Sequence, residues 1–236
     1  WSAPDRIETL TAYAQLYLKE EIQAEALVRN LAGFARFLPV AALFHAQVLN
    51  VSNIARECGV ARTTVQEYLN ILEDTLLCFT VPAYETRLRV RERRHPKLYW
   101  IDAGLVRSLK GYRGNVTAEE RGALFEGLVA QLLRAYRDYR SAFDSMSYWA
   151  PAGGSQIEVD FLLRRGGELV AVETKAGEMF REEWCRGLRA IAPLNGLRKR
   201  YVVFPEGPAV KMRDGIEGLP FVAFAARLAA GRLFED

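Results

Sequence analysis

Apolar residues in the first part of the chain recur every three or four positions, which is the spacing of amphipathic helices. This pattern predicts helices at Asp5–Glu21 and Ile22–Leu38. Pro39 then begins a short helix through Gln47, because proline is tolerated in the first turn of a helix. These helices supply packing faces.

A second helical pair follows, with a glycine between its two members. Ser52 is placed to cap a helix over Asn53–Cys58, Gly59 closes that helix in the left-handed conformation, and Ala61–Leu72 forms the next one. This is the layout of a helix-turn-helix, whose second helix presents polar and basic side chains to phosphates or base edges. The candidate DNA contacts are Arg62, Thr63, Thr64 and Gln66. The same unit also serves as a packing or protein-contact module in other proteins.

A basic segment lies between two strand-like stretches, Leu76–Tyr84 and Lys97–Asp102. Its arginines alternate with other side chains, so an extended conformation would place four guanidinium groups along one edge. The four are Arg87, Arg89, Arg91 and Arg93. A helix-turn-helix followed by a basic hairpin is typical of a winged helix, whose wing reaches phosphates or the minor groove. A solvated loop, or a clamp on an acidic domain, would use the same arginines.

A glycine-rich stretch at Gly111–Val116 predicts a linker, and a long helix follows it. Thr117 and Glu120 form a capping box at its start, and its apolar stripe extends to about Tyr139. Glu126 lies at the edge of this stripe, where a carboxylate is partly buried. The alternative role of Glu126 is that of an ordinary carboxylate on the helix surface.

Two apolar runs of strand character flank the glycine pair Gly166 and Gly167. Glycine tolerates the positive φ angles of tight hairpin turns, so the pattern predicts a hairpin with a two-residue loop. In that register Asp160 lies directly opposite Glu173, and Lys175 lies on the same face one step further along. Opposed carboxylates destabilise a sheet unless a cation sits between them, which makes the hairpin a candidate metal site.

The same hairpin is also compatible with a solvated strand end. That interpretation pairs Glu158 with Lys175 as an ordinary cross-strand ion pair, and one more loop residue would change every pairing. The continuous apolar run Leu169–Val172, typical of a strand buried on both faces, favours the metal site, because Glu173 follows it directly.

The second half has the predicted element order α-β-β-β-α-β, an α/β arrangement with the hairpin on its central strands. After the long helix come a strand at Ser145–Ala150, the hairpin Gln156–Lys175, a helix at Arg181–Ile191, a strand at Arg200–Phe204, and a last strand and helix within Leu219–Leu228. The sequence thus predicts an α+β or α/β protein with a helical, winged helix-turn-helix domain at residues 1–110 and a second domain at residues 117–236.

Composition limits the function classes. The net charge of +3 over 236 residues is too small to indicate nucleic acid by itself. Three cysteines without metal-ligand spacing, and the lack of a membrane-spanning run or a signal peptide, favour a cytoplasmic protein that does not enter a membrane. The chain begins at Trp1, as expected of a fragment or a processed protein. The oligomeric state is not readable from the sequence.

The second half resembles the PD-(D/E)XK nuclease superfamily, with the restriction-endonuclease-like fold, in its element order and in its acidic residues and lysine. The resemblance implies that Asp160 and Glu173 bind Mg²⁺ or Mn²⁺, that Lys175 stabilises charge, and that Glu126 is an auxiliary ligand. Phosphodiester hydrolysis requires such oxygen ligands and a fixed cation. The chain departs from the family pattern because Val159, and not proline, precedes Asp160, and because no glutamine follows on the next helix.

Nearly the whole chain is similar to the C-terminal region of a prokaryotic family of AAA-type ATPases. Six segments carry the similarity outside the helix-turn-helix: Tyr17–Ile22, Phe37–Leu38, Pro96–Gly104, Gly122–Glu126, Val159–Phe161 and Val172–Lys175. No Gly-x-x-x-x-Gly-Lys-Ser/Thr loop occurs in the sequence. The resemblance therefore implies that ATP is a cofactor only of an N-terminal ATPase module of the parent protein, which would be the partner of this chain.

Three functions fit these patterns. The first is a Mg²⁺-dependent nuclease domain coupled to a DNA-binding winged helix. The second is an inactive nuclease-like module that binds DNA or protein and regulates an ATPase. The third is a scaffold that contacts only proteins.

Overall fold

The structure of the protein is a computed structural model that describes residues 8–10, 12–13, 30–84, 95–151 and 157–235. These residues form two compact units. The first draws its described residues from Trp1–Thr80 and His95–Thr117, and the second from Val81–Arg94 and Ala118–Asp236. Both helices and strands contribute, so the protein has mixed α and β structure.

Helices dominate the first unit. They are α1 (Leu31–Leu43), α2 (Val51–Cys58), α3 (Arg62–Asp74) and α4 (Ala103–Leu109). A small sheet joins them, with strands β1 (Gln47–Val48), β2 (Cys78–Val81) and β3 (Lys97–Trp100) in the spatial order β1-β3-β2. The rings of Phe34, Phe37 and Tyr68 pack together between α1 and α3.

Helix α1 differs from the prediction at Pro39. The sequence predicted that a helix ends at Leu38 and that a new one begins at Pro39, but α1 continues through the proline to Leu43. Proline costs the helix one backbone hydrogen bond. The buried face continues on both sides of it, from Phe34 to Ala42, and the packing of that face maintains the helix. The predicted helix Ile22–Leu38 lies partly outside the described residues.

Helices α2 and α3 follow each other with a glycine turn between them. Gly59 ends α2 in the left-handed conformation with φ 64°, as predicted. Ala55 and Val65 are buried, as the packing of the two helices requires. The predicted cap at Ser52 is wrong, because Asn50 precedes the helix and its side-chain Oδ1 accepts from the N–H of Asn53 at 3.0 Å.

The second unit contains a six-stranded mixed sheet with the spatial order β4-β5-β6-β7-β9-β8. The strands are β4 (Ser145–Trp149), β5 (Val159–Arg165), β6 (Glu168–Thr174), β7 (Leu197–Phe204), β8 (Val210–Lys211) and β9 (Ile216–Pro220). Strands β4 to β6 pair antiparallel, β7 is parallel to both β6 and β9, and β8 pairs antiparallel with β9. The sequence did not predict β8.

Helices cover both faces of this sheet. They are α5 (Ala118–Arg140), α6 (Arg186–Ala190), which a 3₁₀ helix at Glu182–Cys185 precedes, and α7 (Phe221–Ala229). The ring of Tyr201 contacts Phe224 of α7, whereas Val202 belongs to the core that contains Leu188 of α6. Adjacent strand residues point to opposite faces, so α6 and α7 lie on opposite sides of the sheet. The order α5-β4-β5-β6-α6-β7 agrees with the predicted order.

The β5–β6 hairpin has the predicted register. Its pairs run from Phe161 opposite Val172 to Arg165 opposite Glu168, with a two-residue turn between the strands. Gly166 has φ 59°, which suits the first central position of a type II′ turn. Both strands are buried over most of their length, which specifies their register.

Candidate functional site

The predicted acidic residues and lysine of the second unit meet at one end of β5 and β6. Asp160 is the second residue of β5, Glu173 is the last but one of β6, and Lys175 follows β6 directly. The backbone N–H of Lys175 donates to the carbonyl of Val203 at 2.9 Å, which ties it to β7. Asp160 and Glu173 are the next residues on their strands beyond the last hairpin pair, so the predicted register brings the two carboxylates together.

Asp160 is almost fully buried, with 4% of its surface exposed. Its Oδ2 accepts two hydrogen bonds from Thr174, one from the backbone N–H at 2.8 Å and one from the hydroxyl at 2.7 Å. Thr174 is itself only 6% exposed. Sequence reasoning missed Thr174, although a hydroxyl between an acidic residue and a lysine at the end of an apolar strand is a visible signal.

Glu173 is buried to a similar degree, with 6% of its surface exposed. Its Oε1 accepts a hydrogen bond from Nζ of Lys175 at 2.5 Å, and the lysine side chain is 38% exposed. The other oxygen, Oε2, is buried and has no hydrogen-bond partner among the described residues. A buried carboxylate oxygen without a partner is costly, so this atom is a place where a ligand would be stabilising.

The charges of the site shift the protonation of Glu173 and Lys175. Burial, together with the negative charges of Asp160 and Glu126, raises the pKa of Glu173 to about 8, although Lys175 opposes the shift. Burial lowers the pKa of Lys175, but the three carboxylates outweigh burial, so its pKa lies above the ordinary value. Lys175 therefore stays positively charged at neutral pH.

Glu126 contributes to this site through its charge. It is half-buried in α5, and α5 packs against β6. Its carboxylate raises the pKa of both Glu173 and Lys175, which places it within electrostatic range of the pair. The prediction that the edge of the apolar stripe partly buries Glu126 is thus confirmed.

The donor set fits a small divalent cation with few protein ligands. Within the described part of the chain, no group of three or more His, Cys, Asp or Glu side chains is arranged to hold a metal ion. Mg²⁺ needs fewer, because it keeps several waters and takes one or two carboxylates together with phosphate oxygens. Asp160 and the unpaired oxygen of Glu173 meet that requirement, and Mn²⁺ has the same preference for oxygen.

The candidate DNA-contacting residues of the first unit lie on α3. Arg62, Thr63 and Gln66 are exposed, and Thr64 is half-buried. Tyr68 on the same helix is buried and donates its hydroxyl to the carbonyl of Asn30 at 3.0 Å, so it belongs to the core. The predicted wing falls outside the described residues, with Arg87, Arg89, Arg91 and Arg93 all on it.

Both parts of the chain match family models that carry no assigned function. Residues 1–115 match the model described as Domain of unknown function (DUF8612). Residues 121–224 match the model described as Domain of unknown function (DUF4143). The chain is thus similar to two families in succession, and the two matches meet near the predicted linker.

Curated relatives extend well beyond the matched region. An uncharacterized protein of Mycobacterium tuberculosis (strain ATCC 25618 / H37Rv) is 25% identical over 211 residues, which cover 88% of this chain and 46% of the relative. An uncharacterized protein of Mycobacterium bovis gives the same values. The chain therefore spans about half the length of these relatives.

Among solved structures, the crystal structure of protein VC1899 from Vibrio cholerae aligns with 98% of this chain and 54% of that chain. The TM-score is 0.33 and the sequence identity is 15%. In the described ranges, no helix combines the length and the apolar character needed to cross a membrane.

Proposed function

We propose that this chain is the DNA-associated part of an AAA-type ATPase and that its second unit is a nuclease-like domain with a divalent-metal site for phosphodiester hydrolysis. One observation carries the proposal. Asp160, Glu173 and Lys175 converge at one end of the central strands, and a buried oxygen of Glu173 lacks a hydrogen-bond partner among the described residues. Oxygen donors next to a fixed ammonium group are what this chemistry requires.

In this proposal each residue of the chain has a distinct role. Asp160 and Glu173 would hold Mg²⁺ or Mn²⁺, with Glu126 as an auxiliary ligand. A bound divalent ion supplies an activated water and withdraws charge from the phosphate. Lys175 is charged at neutral pH because its pKa is raised, so it stabilises the negative charge of the phosphate and does not act as a general base.

The architecture of the second unit supports this role. Its element order of one helix, three strands, one helix and one strand resembles that of the restriction-endonuclease-like fold, and the candidate site lies on the hairpin strands β5 and β6. The first unit supports DNA association through its helix-turn-helix, with three exposed polar or basic residues on α3, namely Arg62, Thr63 and Gln66. In a winged-helix architecture, a basic wing would add a second DNA contact to this helix-turn-helix.

The ATPase partner is inferred from sequence resemblance and from the length of the relatives. The chain spans about half of each mycobacterial relative, which leaves room for another module in such proteins. ATP would bind to that module, and no nucleotide site is assigned within this chain.

A second candidate is an inactive nuclease-like module that binds DNA or protein. The direct contact between Lys175 and Glu173 at 2.5 Å favours it, because the ammonium group occupies one oxygen of Glu173 without a metal.

Metal-dependent cleavage distinguishes the two candidates. The purified chain is incubated with supercoiled, linear and branched DNA in Mg²⁺ or Mn²⁺, with EDTA as the control. We expect cleavage that is lost in EDTA and in the Asp160→Ala and Lys175→Ala variants. Lys211→Ala, which removes an exposed lysine of the same unit, should cut like the wild type. Equal cleavage by all variants, or none by the wild type, contradicts a nuclease, and a salt-sensitive gel shift without cleavage supports the second candidate.

A further inference from the structure

Thr174 binds Asp160 through two separate donors. The backbone N–H and the side-chain hydroxyl both donate to the same oxygen, Oδ2, at 2.8 Å and 2.7 Å. Both residues are buried, so water does not compete for these bonds. Hydrogen bonds from two fixed donors to one carboxylate oxygen restrict the rotation of the carboxylate plane.

These bonds take the place of sheet pairing. The antiparallel pairs of β5 and β6 end with Phe161 opposite Val172, and Thr174 lies beyond that last pair. On its other side β5 pairs with β4, where the register shifts between Ser147 and Trp149. The side chain of Asp160 therefore accepts the amide hydrogen that a regular ladder would direct to the backbone of β5.

We propose that Thr174 is a positioning residue that fixes the carboxylate of Asp160 for cation binding. The inference rests on the proposed metal site and adds a residue to it. A ligand that is held in place before the cation arrives loses less freedom on binding, and residues that orient metal ligands contribute strongly to metal affinity. Threonine suits this task because its branched side chain has few rotamers, which keeps the hydroxyl directed at Oδ2.

Removal of the Thr174 hydroxyl alone tests whether this residue positions Asp160. Valine has nearly the shape of threonine and keeps the backbone N–H, so Thr174→Val deletes one of the two donors. Mn²⁺ binding is measured by isothermal titration calorimetry on the whole chain at pH 8. Loss of an orienting hydrogen bond typically weakens metal binding roughly 10- to 100-fold, so we expect at least a tenfold higher Kd. Thr174→Ser, which restores the hydroxyl, should return the Kd to within about threefold of the wild type, since serine keeps the same donor.

A matched control exists in the first unit. The hydroxyl of Thr80 donates to a carboxylate oxygen of Glu73 at 2.8 Å, nearly the same bond as that of Thr174. Thr80→Val therefore deletes a threonine–carboxylate hydrogen bond away from the candidate ligands. Its Kd for Mn²⁺ should equal that of the wild type.

A double-mutant cycle shows whether Thr174 acts through Asp160. In an Asp160→Ala background the second change, Thr174→Val, should alter the Kd by less than about twofold, the limit of additivity for uncoupled sites. If the Thr174→Val variant does not fold, Thr174→Ala replaces it, and the same loss of affinity for Mn²⁺ is expected. The positioning role is overturned if the folded Thr174→Val variant binds Mn²⁺ with wild-type affinity. It is also overturned if Thr174→Val weakens Mn²⁺ binding equally with Asp160 and with Ala at position 160. Neither result overturns the metal site itself. Absence of Mn²⁺ binding by the wild type overturns the metal site as well.

Discussion

At the scale of single residues, Glu173 is held in an environment that disfavours its charge. Burial and the nearby carboxylates of Asp160 and Glu126 raise its pKa to about 8, although Lys175 lies 2.5 Å away. The protein keeps this group where it weakens the fold at neutral pH. That is typical of side chains whose position serves a ligand, because a cation between the carboxylates would remove the penalty.

The raised pKa of Glu173 makes the stability of the metal-free protein depend on pH. The folded state keeps the proton up to about pH 8, whereas the unfolded chain loses it near the ordinary glutamate pKa of 4.5. The stabilisation is therefore complete below pH 4.5 and is lost as the pH rises to about 8. The free energy of unfolding should fall by roughly 1 kcal/mol per pH unit within that window through this group.

Urea unfolding in EDTA at several pH values measures this dependence. Glu173→Gln should flatten the profile, because the amide does not titrate. Gly167→Ala on the same hairpin changes no titratable group and should leave the slope unchanged. Parallel profiles for the wild type and Glu173→Gln would show that Glu173 is charged in the folded protein throughout the range.

At the scale of secondary-structure elements, the turn of the β5–β6 hairpin sets the register that brings Asp160 to Glu173. Gly166 has φ 59° and Gly167 does not have a positive φ, while a Cβ at either position would meet no atom within 4 Å. Alanine substitutions at Gly166 and Gly167 therefore differ only in backbone strain, which arises at Gly166. Gly166→Ala should cost about 1–2 kcal/mol of unfolding free energy, and Gly167→Ala should cost clearly less. Equal costs in urea unfolding would contradict a turn that depends on the left-handed glycine.

The cap of α2 allows a similar paired test in the first unit. Asn50 accepts the N–H of Asn53, whereas Ser52 is exposed within the first turn of the helix. Asn50→Ala should lower the unfolding free energy by about 1 kcal/mol, the usual value of an N-cap, and Ser52→Ala by less than half of that. The midpoints of thermal unfolding followed by circular dichroism distinguish the two. A larger loss of stability for Ser52→Ala than for Asn50→Ala would show that Ser52 caps α2, as the sequence predicted.

The elements that the sequence predicted well are those whose local signals agree with their surroundings. The Gly166–Gly167 turn, bounded by apolar strands, determined the hairpin register and with it the meeting of Asp160 and Glu173. The helix boundary predicted at Pro39 was wrong, because the packing of the buried face of α1 outweighs the loss of the hydrogen bond that proline removes. Thr174 was missed, since the ideal register places it opposite Val159, and its hydrogen bonds to the side chain of Asp160 do not follow from that pairing.

Short or competing signals account for the other differences. Strand β8 has two residues, Val210 and Lys211, and is too brief to produce a periodic pattern. Asn50 and Ser52 are both good capping residues two positions apart, and propensity does not choose between them. Which of them caps the helix depends on how the preceding chain approaches, and that is a property of the tertiary structure.

At the scale of the whole molecule, the weak net charge of +3 means that DNA association depends on where the basic groups lie. Two candidate surfaces follow from the sequence, the exposed side of α3 with Arg62 and the arginines of residues 87–93. Neutralisation of Arg89 and Arg91 should weaken DNA binding and lower the slope of log Kd against log salt concentration by roughly 2, because about one counterion is released per phosphate contact.

Fluorescence anisotropy with a labelled duplex at several salt concentrations measures this slope. Arg232→Ser, which changes an exposed arginine of the second unit, is the control and should leave the slope unchanged. An unaltered slope in the Arg89 and Arg91 variant would exclude the wing as a phosphate contact. No binding by the wild type at low salt would favour a scaffold that contacts only proteins.

The most direct test of the central claim is the location of a bound metal. Crystals of the protein grown with Mn²⁺ at pH 8 are measured above the manganese absorption edge, and the anomalous difference map is calculated. We expect one strong peak roughly 2 Å from carboxylate oxygens of both Asp160 and Glu173, as oxygen ligation of a small divalent ion requires. A map with no peak at these residues, from crystals in which Mn²⁺ is present in excess, would contradict a metal site at the end of β5 and β6.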